Sequence, residues 1–196
     1  MFEVRIHGRG GQGVVTAAEL LSLAAFEEGH HAQAFPSFGS ERTGAPVVSY
    51  CRISDTEIRT REPILAPDAL VIQDATLLNQ TAVFEGLKAE GYVIVNSSKT
   101  IGQLGLNELL DGRDPDRIIT VPATDLAREH IGRPLPNVVL LGALAALTGR
   151  FKVDSIAHAL RKKFPEKIAA LNTDGAQAAF ALVESLSSTA KESADA

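Results

Sequence analysis

The chain has 196 residues, of which 45% are hydrophobic and 22% are charged, and its formal net charge at pH 7 is −5. This length and composition predict one globular domain that is large enough to bury a core of its own. The acidic balance and the shortness of the longest basic run, Arg161–Lys163, argue against nucleic-acid binding, and the longest apolar stretch, Val138–Leu147, is too short to span a bilayer.

The pattern of apolar residues predicts an α/β fold. Strands are predicted near residues 2–7, 31–35, 46–53, 57–60, 69–73, 91–95 and 117–121. Helices are predicted near residues 12–29, 76–90, 123–131, 137–148, 153–163 and 165–187. The strands at 69–73 and 91–95 are nearly continuous apolar runs, which are typical of a parallel sheet covered on both faces. We therefore expect a mostly parallel sheet with helices on both faces.

One segment departs from this alternation of strands and helices. Residues 46–53 and 57–60 are separated by a short polar turn that contains Asp55, which predicts a β-hairpin inserted into the α/β core. The residues after Ser187 are mostly small and polar. We predict a single domain over residues 1–187 and a flexible tail over residues 188–196.

The first predicted strand leads directly into a glycine-rich turn. Gly8, Gly10 and Gly13 have the spacing G-x-G-x-x-G, and the segment Val14–Glu28 that follows has the apolar spacing of a helix. Glycine tolerates positive φ, and it lets a phosphate approach the backbone N–H groups at the helix N-terminus. Taken alone, this strand, turn and helix predict a dinucleotide site.

A dinucleotide site makes a further demand, which is an acidic residue at the end of the second strand to hold the ribose hydroxyls. The second predicted strand, His31–Pro36, ends without an acidic residue, and Glu27 and Glu28 lie too early, on the preceding helix. Arg9 and Gln12 replace the small residues that are usual in such a loop. These observations disfavour NAD and favour another anion or a partner protein.

A second group of unusual residues follows the second strand. The segment Phe35–Pro46 contains two glycines, Gly39 and Gly44, two prolines, two Phe residues and the pair Glu41-Arg42. The segment is compatible with a structured loop whose Phe side chains cover the core. It is equally compatible with a loop in which Arg42 and the backbone of the two glycines contact a phosphate, or which docks into a partner subunit.

A third segment, Pro134–Asn137, precedes a helix that is apolar nearly all round. Asn137 is placed as an N-cap, and that role alone could explain it. Small residues at Gly142, Ala143 and Ala145 would allow close packing of this helix. It is therefore expected either at the centre of the core or at a subunit interface.

The chemistry-bearing residues are few. The single cysteine, Cys51, excludes a disulfide framework and a cysteine-held cluster within the chain. The five histidines show no metal-ligand spacing, and no signal peptide opens the sequence, so we expect a cytoplasmic location. We find no nucleophile motif, and we interpret the acidic residues at element ends as caps: Asp68, Asp74, Asp125 and Asp154.

Four segments together make the sequence resemble the gamma subunit of 2-oxoacid:ferredoxin oxidoreductases, of which pyruvate:ferredoxin oxidoreductase is the best-known member. In the order and spacing of that family, they are His7–Gly13, Phe38–Pro46, Arg133–Asn137 and Leu141–Ala143. Ser40 stands where the family often has proline. The resemblance covers Met1 to Leu186.

The resemblance implies a Rossmann-like fold in a multi-subunit complex. Alpha and beta subunits would hold thiamine diphosphate and magnesium between them, and iron–sulfur clusters would lie on other chains, including a delta-type, ferredoxin-like subunit. The complex would oxidatively decarboxylate a 2-oxoacid such as pyruvate to an acyl-CoA and pass electrons to ferredoxin or a similar acceptor. The gamma subunit would assist coenzyme A binding and close the active site.

The sequence therefore predicts a binding site and assigns no catalytic residue and no metal ligand to this chain. The predicted binding residues are Gly8, Arg9, Gly10, Gly11, Gln12, Gly13, Gly39, Arg42, Gly44 and Asn137. Two alternatives stay open at this point. The chain would be a purely structural subunit whose glycine loop contacts only protein, or a stand-alone nucleotide-binding module.

Overall fold

A computed structural model describes residues 1–37, 43–79, 83–108 and 110–194 of the chain. Within these residues the strands are β1 (Phe2–Arg9), β2 (His31–Pro36), β3 (Pro46–Ser54), β4 (Ala69–Ile72), β5 (Tyr92–Asn96) and β6 (Ile118–Val121). The α-helices are α1 (Val14–Glu27), α2 (Ala123–His130), α3 (Asn137–Thr148), α4 (Val153–Lys163) and α5 (Glu166–Ala194). Two 3-10 helices, Ala75–Asn79 and Pro115–Arg117, lie between strands.

The strands form one mixed sheet in the order β2-β3-β1-β4-β5-β6. The strands β1, β4, β5 and β6 pair in parallel, whereas β3 is antiparallel to both of its neighbours. Parallel neighbouring strands must be joined by crossover connections. Such connections join β1 to β4, β4 to β5 and β5 to β6. The predicted α/β fold with a mostly parallel sheet is confirmed.

The predicted hairpin between residues 46–53 and 57–60 is wrong. Residues 57–60 form no strand, and β3 instead pairs along its length with β2 and β1. The physical reason is that β3 is buried on both sides of its backbone, while Glu57 and Arg59 of the short segment are exposed. Arg52 Nη2 donates to Glu62 O at 2.7 Å and ties the polar segment after β3 to the face of the sheet.

The main core lies between one face of the sheet and the α-helices. Buried residues of all five α-helices belong to one cluster with Val4, Ile6, Val71 and Ile94 of the sheet. On the other face, a smaller cluster joins β4 and β5 to the 3-10 helix Ala75–Asn79 and to neighbouring turns. In the described part of the chain, the second layer predicted as α-helical thus consists of a 3-10 helix and turns.

The helix predicted over residues 76–90 is accordingly wrong. The described residues there form the 3-10 helix Ala75–Asn79 and, after residue 82, turns. Gly86 has φ of 72°, and a Cβ at this position would lie 1.9 Å from Leu65 O, so the chain bends there against another segment. The apolar side chains of Leu77, Val83 and Leu87 cover β4 and β5 without a continuous helix.

Buried arginines hold this second layer on β1 and β3. Arg5 donates to His7 Nε2 at 3.0 Å, to Val83 O at 2.9 Å and to Glu85 O at 2.6 Å. Arg52 Nε donates to Glu3 Oε1 at 2.8 Å. The hydrogen bonds from Arg5 to the carbonyl oxygens of Val83 and Glu85 hold the covering turns against β1.

The predicted apolar helix is confirmed as α3, and it lies in the core. Val138 to Ala145 are all buried. A Cβ at Gly142 would lie 2.0 Å from the carbonyl oxygen of Ala176 in α5, so the two backbones approach each other directly. The glycine is therefore required by the packing of α3 against α5.

Helix α5 continues to Ala194, whereas the sequence pattern predicts its end at residue 187. The division into a domain over residues 1–187 and a flexible tail stays a prediction. None of the described helices is long and apolar enough to cross a membrane.

Candidate functional site

The glycine loop connects the end of β1 to the N-terminus of α1, as the spacing predicts. Gly11 and Gly13 have φ of 94° and 71°, which are conformations that other residues adopt only with strain. The turn closes on itself, because Gln12 N–H donates to Arg9 O at 3.0 Å and Arg9 N–H donates to Gln12 Oε1 at 2.8 Å. Gly8 lets the chain pass close to α1, since a Cβ there would lie 2.6 Å from Val14.

The start of β3 lies against this loop. Gly10 N–H donates to Ala45 O at 2.9 Å, and Gly44 N–H donates to Gly10 O at 3.0 Å. The structure therefore brings the predicted residue Gly44 to the glycine loop. The predicted residues Gly39 and Arg42 lie outside the described residues.

Asn137 comes to the same place from the opposite end of the chain. Its Nδ2 donates to Gly13 O at 3.3 Å, and a Cβ at Gly13 would lie only 2.4 Å from that nitrogen. The predicted N-cap role is wrong, because Asn137 is the first residue of α3 and no side-chain hydrogen bond caps that helix. Pro136 occupies the cap position of α3. The amide side chain of Asn137 instead contacts the residue that precedes α1.

An acidic residue that the sequence pattern explained only as a cap holds the loop from the other side. Asp74 Oδ2 lies 3.2 Å from Arg9 Nε and accepts from Gln12 Nε2 at 2.9 Å. Asp74 Oδ1 accepts from the hydroxyl and the backbone N–H of Thr76, at 2.6 and 3.0 Å. Thr76 Oγ1 in turn accepts from Arg9 Nη2 at 2.7 Å, so a closed network joins the glycine loop to the residues after β4.

This network keeps Asp74 ionised. Burial alone would raise the pKa of its carboxyl, but the hydrogen bonds from Thr76 and Gln12 and the charge of Arg9 outweigh burial and lower the pKa below its usual value. Arg9 also donates from Nη1 to Gly44 O at 3.0 Å. The two residues predicted to meet an anion or a partner are thus engaged with groups of the chain itself.

A cavity of about 460 Å³ opens beside the loop. Its walls are the glycine loop, the first turn of α1, Thr43 and Val47. The first N–H groups of a helix have no acceptor within the helix, and the helix dipole adds a partial positive charge there. This arrangement favours an anionic group near Thr16, in the first turn.

The sequence is that of a known family. A family model described as "Pyruvate ferredoxin/flavodoxin oxidoreductase" matches residues 3–182. The chain belongs to this family. The predicted resemblance is therefore confirmed.

Three proteins similar to this chain are, by their names, subunits of a pyruvate synthase or of pyruvate oxidoreductases. The chain is 51% identical over 161 residues to "Pyruvate synthase subunit PorC" of Methanosarcina barkeri, with 82% of this chain and 85% of that protein covered. It is 44% identical over 180 residues to the "Pyruvate/ketoisovalerate oxidoreductases common subunit gamma" of Thermococcus kodakarensis, with 92% and 96% covered. The crystal structure of the pyruvate oxidoreductase subunit PORC of Thermotoga maritima has a TM-score of 0.76 at 34% identity, with 91% and 94% covered.

In this member of the pyruvate ferredoxin/flavodoxin oxidoreductase family, the order of the strands around the glycine motif differs from that of a usual dinucleotide site. In such a site the strand that carries the ribose acid lies beside the glycine-loop strand. Here β3 lies between β1 and β2, so the end of β2 is two strand spacings, or about 10 Å, from β1. In addition, the described residues at the end of β2, up to Ser37, include no acid.

A second cavity, of about 420 Å³, lies at the carboxyl ends of β4, β5 and β6. It is lined by polar residues that include Ser97, Lys99 and Thr124. Asn96 closes its floor, with Nδ2 donating at 2.8 Å to both Gln73 O and Thr124 Oγ1. Sequence reasoning did not identify this cavity, because its walls come from three segments without a shared motif.

Among the residues with described positions, no group of three or more His, Cys, Asp or Glu side chains is arranged to hold a metal ion. The one cysteine, Cys51, is fully buried, and burial raises the pKa of its thiol.

Proposed function

We propose that this gamma subunit binds coenzyme A at its glycine loop, as the acyl acceptor of a complex that oxidatively decarboxylates a 2-oxoacid such as pyruvate. The observation that carries the proposal is the cavity of about 460 Å³ between the glycine loop and the first turn of α1. Membership of the family supports the reaction, and the position of the cavity between the glycine loop, the N-terminus of α1 and the start of β3 supports the binding of an anion there.

Coenzyme A suits this site because it carries phosphate groups on a long, flexible body. The backbone N–H groups of the first turn of α1, together with the hydroxyls of Thr16 and Thr43 on the cavity wall, are donors for such groups. The described residues at the end of β2 include no acid to hold the ribose of a bound NAD, whereas a phosphate needs only donors and a close approach to the backbone. The glycines at positions 11 and 13 allow that approach.

The remaining chemistry belongs to partner chains in this proposal. Thiamine diphosphate, magnesium and the iron–sulfur clusters lie on alpha, beta and delta-type subunits, and electrons leave to ferredoxin or a similar acceptor. A single cysteine in 196 residues cannot supply the ligands of a cluster held by this chain alone. We propose that the complex works in the cytoplasm.

In the assembled complex, the substitution Thr16→Glu should raise the KM for coenzyme A at least about tenfold above that of Thr16→Gln. A unit charge within a few ångströms of a phosphate readily exceeds the roughly 1.4 kcal/mol that this ratio requires. The fold should tolerate both variants, since Thr16 is half-buried in the first turn of α1, where a carboxylate is favourable for the helix. Steady-state kinetics with varied coenzyme A measure the effect.

The KM for the 2-oxoacid is the internal control, and it should be equal in the two variants. Equal KM values for coenzyme A in the two variants would reject the glycine loop as its site. A complex that fails to assemble with Thr16→Glu but assembles with Thr16→Gln would favour the alternative of a purely structural subunit.

A further inference from the structure

Asp74 lies where it can control the glycine loop. The strand β4 is the direct parallel neighbour of β1, and Gln73 N–H continues this pairing by donating to His7 O at 2.8 Å. The next residue, Asp74, therefore comes to the side of the loop that follows β1. Its carboxylate is largely buried, with 17% of the side chain exposed.

The carboxylate contacts two side chains of the loop at once. Asp74 Oδ2 lies 3.2 Å from Arg9 Nε and 2.9 Å from Gln12 Nε2. Gln12 in turn closes the turn by accepting from Arg9 N–H at 2.8 Å. Any displacement of the carboxylate therefore changes both ends of the turn that contains Gly10 and Gly11.

We propose that Asp74 is a positioning residue of the acyl-acceptor site, which holds Arg9 and Gln12 so that the glycine loop keeps the conformation that admits the anion. This inference rests on the proposed function of the loop. The anion then meets backbone N–H groups and the N-terminus of α1, while the charge of Arg9 is balanced within the chain. A role limited to capping the 3-10 helix Ala75–Asn79 would need only the contact with Thr76 N–H.

Charge and position make opposite predictions for one substitution. Asp74→Asn removes a negative charge beside an anion site, so electrostatics alone would lower the KM for coenzyme A. The substitution also removes an acceptor oxygen from the ion pair with Arg9 and weakens the contacts that hold Arg9 and Gln12. If Asp74 positions the loop, the KM for coenzyme A should therefore rise. The sign of the change therefore separates the two effects.

In the assembled complex, Asp74→Asn should raise the KM for coenzyme A about fivefold or more, with kcat and the KM for the 2-oxoacid within about twofold of the unsubstituted complex. The matched control is Asp125→Asn. Asp125 is also an acid at an element end, but it pairs with Arg128 at 2.8 Å in the second cavity. An unchanged or lowered KM for coenzyme A in Asp74→Asn, together with a raised KM in Thr16→Glu, overturns the proposal.

A double-mutant cycle tests whether Asp74 acts through Arg9. Because Asp74 also holds Gln12, the double variant Arg9→Gln/Asp74→Asn should raise the KM for coenzyme A by less than the product of the two single fold-changes. Fold-changes that multiply in the double variant would mean that the two residues act separately, and they would overturn the inference.

Amide hydrogen exchange in the complex without coenzyme A separates this inference from the proposed function. Asp74→Asn should accelerate exchange in peptides that cover residues 9–13, and unchanged exchange overturns the positioning role. Accelerated exchange together with an unchanged coenzyme A KM in both Asp74→Asn and Thr16→Glu would uphold the positioning of the loop and reject coenzyme A as its ligand.

Discussion

Replacement of Gly142 by alanine should lower the free energy of unfolding of the chain by about 3 kcal/mol. The added Cβ would lie 2.0 Å from the carbonyl oxygen of Ala176, and the atom in its way is backbone, which has no rotamer to change. Helices α3 and α5 would have to separate, and the buried cluster that both belong to would lose contacts along its length. The intrinsic helix preference of alanine over glycine, about 1 kcal/mol, acts in the opposite direction and is too small to compensate.

Urea denaturation of the purified chain measures this loss. The matched control is Gly102→Ala, because Gly102 is exposed and a Cβ there meets only the side chain of Asn107, at 3.3 Å. The control should change the free energy of unfolding by less than about 1 kcal/mol. Equal effects of the two substitutions would contradict the direct backbone contact between α3 and α5.

Acidification should destabilise the chain through His7. Burial, and then the charge of Arg5, lower the pKa of His7 from 6.5 to about 3. Arg5 Nε donates to His7 Nε2 at 3.0 Å, so the imidazole must accept at that nitrogen and stays neutral. Between pH 6.5 and 3 the unfolded chain therefore binds a proton that the folded chain does not, and the free energy of unfolding falls as the pH falls.

The slope from this one group approaches about 1.4 kcal/mol per pH unit, so His7 should account for about 2 kcal/mol of the loss between roughly pH 6.5 and 4.5. The measurement is urea denaturation at several pH values for the unsubstituted chain and for His7→Gln, whose amide oxygen can still accept from Arg5. The slope should be shallower in His7→Gln, whereas His158→Gln, at an exposed position of α4, should leave it unchanged. Parallel pH curves for all three chains would contradict a neutral, buried His7.

The parts of the fold that depend on local pattern were predictable from the sequence. The glycine spacing after an apolar strand predicted the loop between β1 and α1, and the unbroken apolar run after Asn137 predicted α3 with its observed bounds. In both segments, short-range signals agree with the tertiary structure. Three of the four family segments contribute residues that meet at one place, since Gly44 and Asn137 both lie within hydrogen-bond distance of the segment His7–Gly13.

The features that were missed depend on distant pairing. Nothing within residues 46–60 indicates that β3 inserts between β1 and β2. The strand order depends on the pairing of β3 with strands that are distant in the sequence. Residues 76–90 have the apolar spacing of a helix. In the structure, Leu77 and Val83 are instead buried against the face of β4 and β5. Asp74 was interpreted only as a cap. Its partner Arg9 lies at the end of β1, and a single sequence does not show that β1 and β4 are neighbours in the sheet.

The antiparallel direction of β3 has a consequence for how such a site can diversify. An antiparallel strand begins at the edge of the sheet where its parallel neighbours end, so β3 starts beside the glycine loop, through the contacts of Gly10 with Gly44 and Ala45. Thr43, which precedes β3, therefore lies on the wall of the cavity together with the glycine loop and the first turn of α1. Insertions or deletions in the chain just before Thr43 can change this wall and leave the parallel pairing of β1, β4, β5 and β6 intact. This side of the cavity can thus vary separately from the stability of the sheet.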